Sequence, residues 1–154
     1  MMKPFDFYLK RKLLRKAIPN VDMARSLIEK AEIRLERIKK EEVDEKIASM
    51  VFEDIYELLR ESCQSLMEIK GYKPYSHEAL IAFMKENNLL NFNEINILDN
   101  YRILRNNSIY KAEKVSFDKC GEALDFAIKT LPNIRKKFEM LTENKDFKNV
   151  EFVK

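Results

Sequence analysis

The sequence predicts an all-α protein, an up-and-down bundle of four to five main helices. Three observations carry that expectation. Apolar residues recur at intervals of three and four along most of the chain, the spacing of one helix face. Glycine occurs twice and proline four times in 154 residues, too little punctuation for a many-turned β fold. Charged residues make up 36% and apolar residues 45%, which suits helices with solvated outer faces around a real core. The length fits one domain covering 1–154.

The elements follow in order. Residues 5–17 read as a short amphipathic, basic segment that ends before Pro19. Asn20 is placed to cap the next helix, whose stripe is Ala24, Leu27, Ile28, Ala31, Leu35 and Ile38. The stripe fades at 39–42, where a turn is expected. A long helix then runs from about 43 to 70, roughly 40 Å at the helical rise. Its face is Ile47, Met50, Val51, Ile55, Leu58, Leu59, Ser62, Leu66 and Ile69.

Gly71 is placed to end that helix in the left-handed conformation. Pro74 prevents continuation, and Ser76 caps a short helix carrying Leu80, Phe83 and Met84, closed by Asn87 and Asn88. A fifth segment runs from about Asn93 to Lys111. Ser116 caps the last helix, with Asp118 in its first turn and Cys120, Ala123, Leu124, Ala127, Ile128 and Leu131 facing inward. Pro132 is expected to kink or break it. Residues 142–154 read as a polar tail. No strand-period pattern stands out, apart from the Val-Glu-Phe-Val run at 150–153.

Charge is unevenly distributed. Residues 1–20 hold six cations (Lys3, Lys10, Arg11, Lys12, Arg15 and Lys16) against Asp6 alone. With a net charge of +3 for the chain, this segment stands at +5 and the rest at −2. Such a segment is either a solvated face or a contact for nucleic acid or an acidic partner. No apolar run approaches the length of about 18 residues needed to span a membrane, and no signal-peptide pattern opens the chain. A cytoplasmic location is therefore expected, with Cys63 and Cys120 as buried thiols.

Elimination narrows the chemistry. A di-metal bundle needs two Glu-x-x-His ligand sets, and His77 is the sole histidine. One histidine and two distant cysteines make a poor zinc set, so no metal site is expected. Isolated Gly71 and Gly121 make no phosphate-binding loop, and no Gly-x-Ser-x-Gly elbow occurs, so no cofactor is expected either. His77, just after the cap Ser76, is either a surface first-turn residue or a functional one.

The stretch Tyr101 to Tyr110, YRILRNNSIY, is more informative. Projected at about 100° per residue, Ile97, Tyr101, Leu104 and Ser108 form the inward stripe. Arg105 falls on its flank, so its stem is partly buried and its guanidinium needs an acceptor. It either braces two helices through a carboxylate or faces a cleft. Asp99, Arg102, Asn106 and Tyr110 share another strip and contact in series. Arg105 and Tyr110 stand about 140° apart, so they share a cleft only if a second helix or a second subunit closes it.

The LRNNSIY segment resembles the signature of the HEPN superfamily, an arginine often followed directly by asparagine, then, four to six residues on, a histidine. The segment GYKPYSHEALIAFM, residues 71–84, is similar to the loop and short helix that precede that motif. The long helix before it and SFDKCGEALDFAIKTL after it stand in the expected order, so the resemblance covers about 21–138. It implies a bundle that commonly dimerises with the motif at a cleft between subunits. Many members are metal-independent RNases, often toxins paired with a small nucleotidyltransferase antitoxin.

Carried over, Arg105 matches the motif arginine, Asn106 its polar partner, and Tyr110 the position of the histidine. That last match departs from the pattern. RNA cleavage without a metal needs acid and base groups that titrate near the working pH. Histidine titrates at about 6.5 and tyrosine at about 10, which leaves tyrosine about 0.1% ionised at pH 7. The resemblance thus implies a homodimer that binds RNA or nucleotide through Arg105, Asn106 and Tyr110. Arg102 and Asp99, on the strip shared with Asn106 and Tyr110, and His77 are the further candidate binding residues. Tyr110 would stack on a base, donate a hydrogen bond or itself be nucleotidylated. An active RNase and a non-catalytic scaffold are the alternatives.

Overall fold

The computed structural model describes residues 2–143. The chain is an all-α bundle with one small β-ribbon: α1 (Phe5–Lys10), β1 (Leu14–Lys16), α2 (Val21–Lys39), α3 (Ala48–Lys70), β2 (Tyr72–Pro74), α4 (His77–Glu86), α5 (Phe92–Lys111) and α6 (Phe117–Glu143). Helices α2 to α6 are the five main ones. Of the tail expected at 142–154, Thr142 and Glu143 instead belong to α6, and the remainder, with the run at 150–153, lies outside the described residues.

Helix α3 is the axis of the fold. It packs chiefly against α2 and α6, and also meets α4, α5 and β2. Of the face expected for it, Val51, Ile55, Leu58, Leu59, Ser62, Leu66 and Ile69 are buried. Met50 is a correction, being 65% exposed. The helix also starts later than expected, because Asp44 Oδ1 accepts from the backbone N–H of Lys46 and Ile47 at 2.9 and 3.2 Å. That side-chain turn holds the chain out of helix until Ala48.

Being surrounded, α3 buries charge as well. Glu61 and Glu68 are almost completely enclosed, and each has a cation. Arg34 grips Glu61 with two hydrogen bonds of 3.1 and 3.3 Å, with Lys30 at 3.5 Å. Lys73 reaches Glu68 at 2.7 Å. A carboxylate in this position is tolerated because it is paired.

The local signals at helix ends act as expected at four sites. Asn20 accepts from Met23 N–H, Ser76 from Ala79 N–H and Ser116 from Lys119 N–H, each at 3.0 Å. Gly71 ends α3 at φ 79°, where a side chain would be strained. Helix α5 begins with a reciprocal cap, Asn91 with Glu94, which fixes its first turn.

The expectation for the N-terminal segment is overturned. Residues 5–17 do not form one amphipathic segment. Lys12, at φ 59°, turns the chain after α1, and β1 pairs antiparallel with β2 in the register Leu14 to Pro74, Arg15 to Lys73 and Lys16 to Tyr72. Leu14 is buried and its cationic neighbours are exposed, so three residues suffice for a ribbon that clamps the N-terminal segment to the turn after α3. Pro132 does not break α6, which runs through to Glu143. The carbonyl it leaves without its helical donor is that of Ile128, and both residues stand on the solvent side, where a break in the ladder is tolerated. Ile128, expected to face inward, is 40% exposed. Thr130 is buried instead.

Candidate phosphate-binding cleft

Two anchors set the rotation of α5. Tyr101 is buried between the rings of Phe52, 5.5 Å away, and Phe126, 5.7 Å away, both edge-on. One and a half to two turns later Ser108, also buried, donates 2.7 Å to Glu53 Oε2 on α3. A small hydroxyl residue there lets α3 and α5 approach and gives the Glu53 carboxylate a partner. With Tyr101 and Ser108 inward, Arg105 is carried on the flank, half-buried beside α3.

The other wall comes from α4. The end of α3 at Gly71, the ribbon β1–β2 and the cap Ser76 together make His77 the first residue of α4. His77 is a half-buried residue, not a surface one. Its ring stacks on Tyr56 of α3 with centroids 5.5 Å apart and an interplanar angle of 19°. The Tyr56 hydroxyl and His77 Nδ1 are 3.1 Å apart. Tyr56 itself is buried, which pushes its phenol pKa well up and keeps it protonated.

Helix α4 therefore closes the cleft that the helical projection left open. Ser76, His77 and Glu78 face Arg102, Arg105, Asn106 and Tyr110 across an open hollow of about 320 Å³. Arg105 and Tyr110, on different sides of one helix, share it without a second subunit. Asp99 does not line this cleft; it borders a separate hollow near Asn91, Phe92 and Ile95.

The two arginines differ in what they are bonded to. Arg102 is committed: its Nε donates 2.8 Å to Asp99 Oδ1 and its Nη2 lies 3.4 Å from Glu78 Oε1. Glu78 Oε2 in turn accepts from the Tyr8 hydroxyl of α1 at 3.2 Å. Asp99, Arg102, Glu78 and Tyr8 thus form a chain tying α5, α4 and α1 together. Arg105 has no carboxylate partner among the described residues. Its Nη1 donates 3.1 Å to Asn106 Oδ1, and its Cζ stands 6.0 Å from the centre of the Tyr56 ring. The bracing role considered for Arg105 belongs to Arg102 instead. Asn106 holds the guanidinium, and Tyr110 is 75% exposed at the cleft edge.

These contacts leave His77 neutral. Burial lowers its pKa first, then the positive charges of Arg105 and Arg60, to about 4, against a smaller opposing pull from Glu57. The cleft thus combines an unneutralised guanidinium, an amide oxygen that orients it, a neutral imidazole and an exposed phenol. Such a set offers charge and hydrogen-bond donors suited to an anion and an aromatic face suited to stacking.

Tyr56, Glu57 and Arg60 escaped the sequence reading. Tyr56 sits one residue after Ile55, on the edge of the apolar stripe, and carries no local mark of a polar task. Its position four residues before Arg60, with Glu57 between, was the one available hint: Arg60 donates 2.9 Å to Glu57 and 2.6 Å to Gln64. The N-terminal cations Lys10, Arg11, Lys12, Arg15 and Lys16 are exposed, and Arg15 lies over Tyr75, next to the cap Ser76, at 5.7 Å. Cys63 and Cys120 are buried free thiols, and burial pushes Cys63 up to about 12.

Among the described residues no cluster of His, Cys, Asp or Glu is arranged to hold a metal ion, and no helix is long and apolar enough to cross a membrane. No family model matches this chain, and neither a curated protein nor a solved structure matches it.

Proposed function

We propose that the protein is a HEPN-type domain of the toxin–antitoxin kind. It binds RNA or a nucleotide through Arg105, Asn106 and Tyr110, as a homodimer working with a small nucleotidyltransferase. The observation that carries the reading is the unneutralised Arg105 guanidinium, held by Asn106 in a cleft with His77 and Tyr110. A half-buried cation left without a carboxylate is costly unless a ligand supplies the anion. Ile103 and Ile109 flank the strip of Arg102, Asn106 and Tyr110 and are both exposed; a second copy would cover them.

The test is binding of labelled single-stranded RNA and of AMP, followed by anisotropy and calorimetry. Arg105→Ala is expected to lose binding at least tenfold with an unchanged melting temperature. A variant that melts lower and binds as well as the wild type sinks the reading in favour of a scaffold. Co-expression with a small nucleotidyltransferase from the same source tests the partner, with a stable co-purifying complex expected and independent elution counting against it.

A second reading, a metal-independent endoribonuclease, is favoured by one observation. Tyr110 takes the motif histidine's position, yet a histidine faces the same cleft from α4. RNA cleavage in EDTA that Arg105→Ala and His77→Gln each abolish supports it. Intact RNA under all conditions removes it.

A further inference from the structure

We infer that the cleft takes a terminal phosphate group, the doubly charged phosphomonoester of a nucleotide or of an RNA end, and that His77 takes up a proton as it binds, becoming the second cation beside Arg105. The inference rests on the phosphate-binding reading above and adds a ligand class and a proton.

The charge count comes first. Arg102 is neutralised by Asp99 and Glu78, so among the described residues only Arg105 faces the cleft as a cation without a carboxylate partner. One cation matches a phosphodiester, which carries one charge. A terminal phosphate carries between one and two at neutral pH, its second ionisation falling at about pH 6. A second cation is needed to match it, and His77 is the one group on the opposite wall able to become one.

His77 is built to do so without moving. Its Nδ1 faces the Tyr56 hydroxyl at 3.1 Å. A tyrosine hydroxyl both donates and accepts, so it donates to Nδ1 of the neutral ring and turns to accept from Nδ1–H of the charged one. Nε2 has no bond within the described protein, which leaves it for the ligand.

The neighbours supply the coupling. His77 is faced by Tyr56, Glu57 and Arg60 of α3, by Arg102 and Arg105 of α5, and by Glu78 beside it on α4. After burial, Arg105 is the main obstacle to its protonation; Arg60 is already paired with Glu57. A phosphate on Arg105 cancels that repulsion and adds its own negative charge. Binding therefore favours the proton, and the proton favours binding by the same factor.

Because the chain has one histidine, the ring gives one resonance. The full-length protein is titrated while the His77 Cε1 shift is followed, alone and with saturating adenosine, AMP, 5′-phosphorylated RNA or 5′-hydroxyl RNA. The ³¹P shift follows the ligand's own ionisation separately. The expected midpoint is well below the ordinary histidine value in the free protein, unmoved by adenosine, and raised into the neutral range by AMP, the rise that a tenfold coupling at pH 6 requires. The two RNAs tell a free nucleotide from an RNA end. A rise with AMP alone assigns the nucleotide, and a rise with the 5′-phosphorylated RNA extends the site to RNA ends.

AMP that binds while the midpoint stays put overturns the inference and leaves the phosphate reading standing. An equal rise with 5′-hydroxyl RNA overturns the terminal-phosphate assignment. Absence of binding by every probe removes both. His77→Gln is expected to bind AMP at least tenfold more weakly at pH 6, with less change towards pH 8; undiminished binding contradicts a second cation.

Discussion

The Tyr56 hydroxyl stands 3.1 Å from His77 Nδ1 with the two rings stacked. This contact joins the interior of the central helix to the first residue of α4. It fixes the wall of the cleft to the core of the bundle, so that His77 faces Arg105 from a rigid position. Replacing Tyr56 by Phe keeps the ring and removes the bond. The expected loss is about 1 kcal/mol by urea unfolding, the net worth of a part-buried hydrogen bond. Tyr56→Ala removes the ring too and is expected to cost about 3 kcal/mol or more.

Stability is expected to depend on pH through His77. Its pKa is lowered from 6.5 to about 4 in the fold, so between those values the unfolded chain binds the proton and the folded chain does not. Stability from this group is complete above about pH 6.5 and is lost as pH falls towards 4. After allowance for solvent screening at a part-exposed site, the loss is about 1 to 2 kcal/mol. His77→Gln is expected to flatten the curve in that window, and urea midpoints at pH 7, 6 and 5 check it. Curves of equal slope contradict it.

Arg34 is expected to be the costliest surface-reaching residue to remove. Glu61 is 2% exposed and relies on Arg34 for two hydrogen bonds. Arg34→Ala leaves the buried carboxylate with only the exposed Lys30, 3.5 Å away, and no bidentate hydrogen bonds, an expected loss of about 3 kcal/mol. Arg34→Met with Glu61→Leu removes both charges and is expected to recover most of it. Thermal unfolding of the single and double variants makes the comparison.

Ser108 reports on the approach of α5 to α3. Ser108→Ala strips Glu53 of its 2.7 Å donor and is expected to cost about 1 kcal/mol. Ser108→Leu overfills the same contact at an expected cost of about 1 to 3 kcal/mol. Equal unfolding midpoints for the two would show that α5 does not depend on close packing here.

What was legible in the sequence was local. Asn20, Gly71, Ser76 and Ser116 mark helix ends because capping involves only residues a turn away. The flank position of Arg105 and its separation from Tyr110 follow from the helical repeat alone. What was not legible depends on partners far along the chain. The ribbon of Leu14 to Lys16 is too short to show a period, and its mate lies near Lys73. His77 reads as either a surface or a functional residue until Tyr56 is brought beneath it. Met50 and Ile128 fit their apolar stripes and still face solvent, because a stripe's edge is set by what packs on it. The carboxylate sought for Arg105 went to Arg102 instead, a choice between two neighbouring arginines that spacing cannot make.

The central claim is that Arg105 is an anion-binding residue and not a brace. Its most direct measurement is the affinity of the full-length protein for labelled RNA and AMP, set beside the melting temperature, for wild type, Arg105→Ala and Arg105→Lys. The account predicts at least a tenfold loss of affinity for Arg105→Ala, a smaller loss for Arg105→Lys, which keeps the charge without the planar fork, and melting temperatures within about 2 °C of wild type. Unchanged affinity with a melting temperature several degrees lower would contradict it.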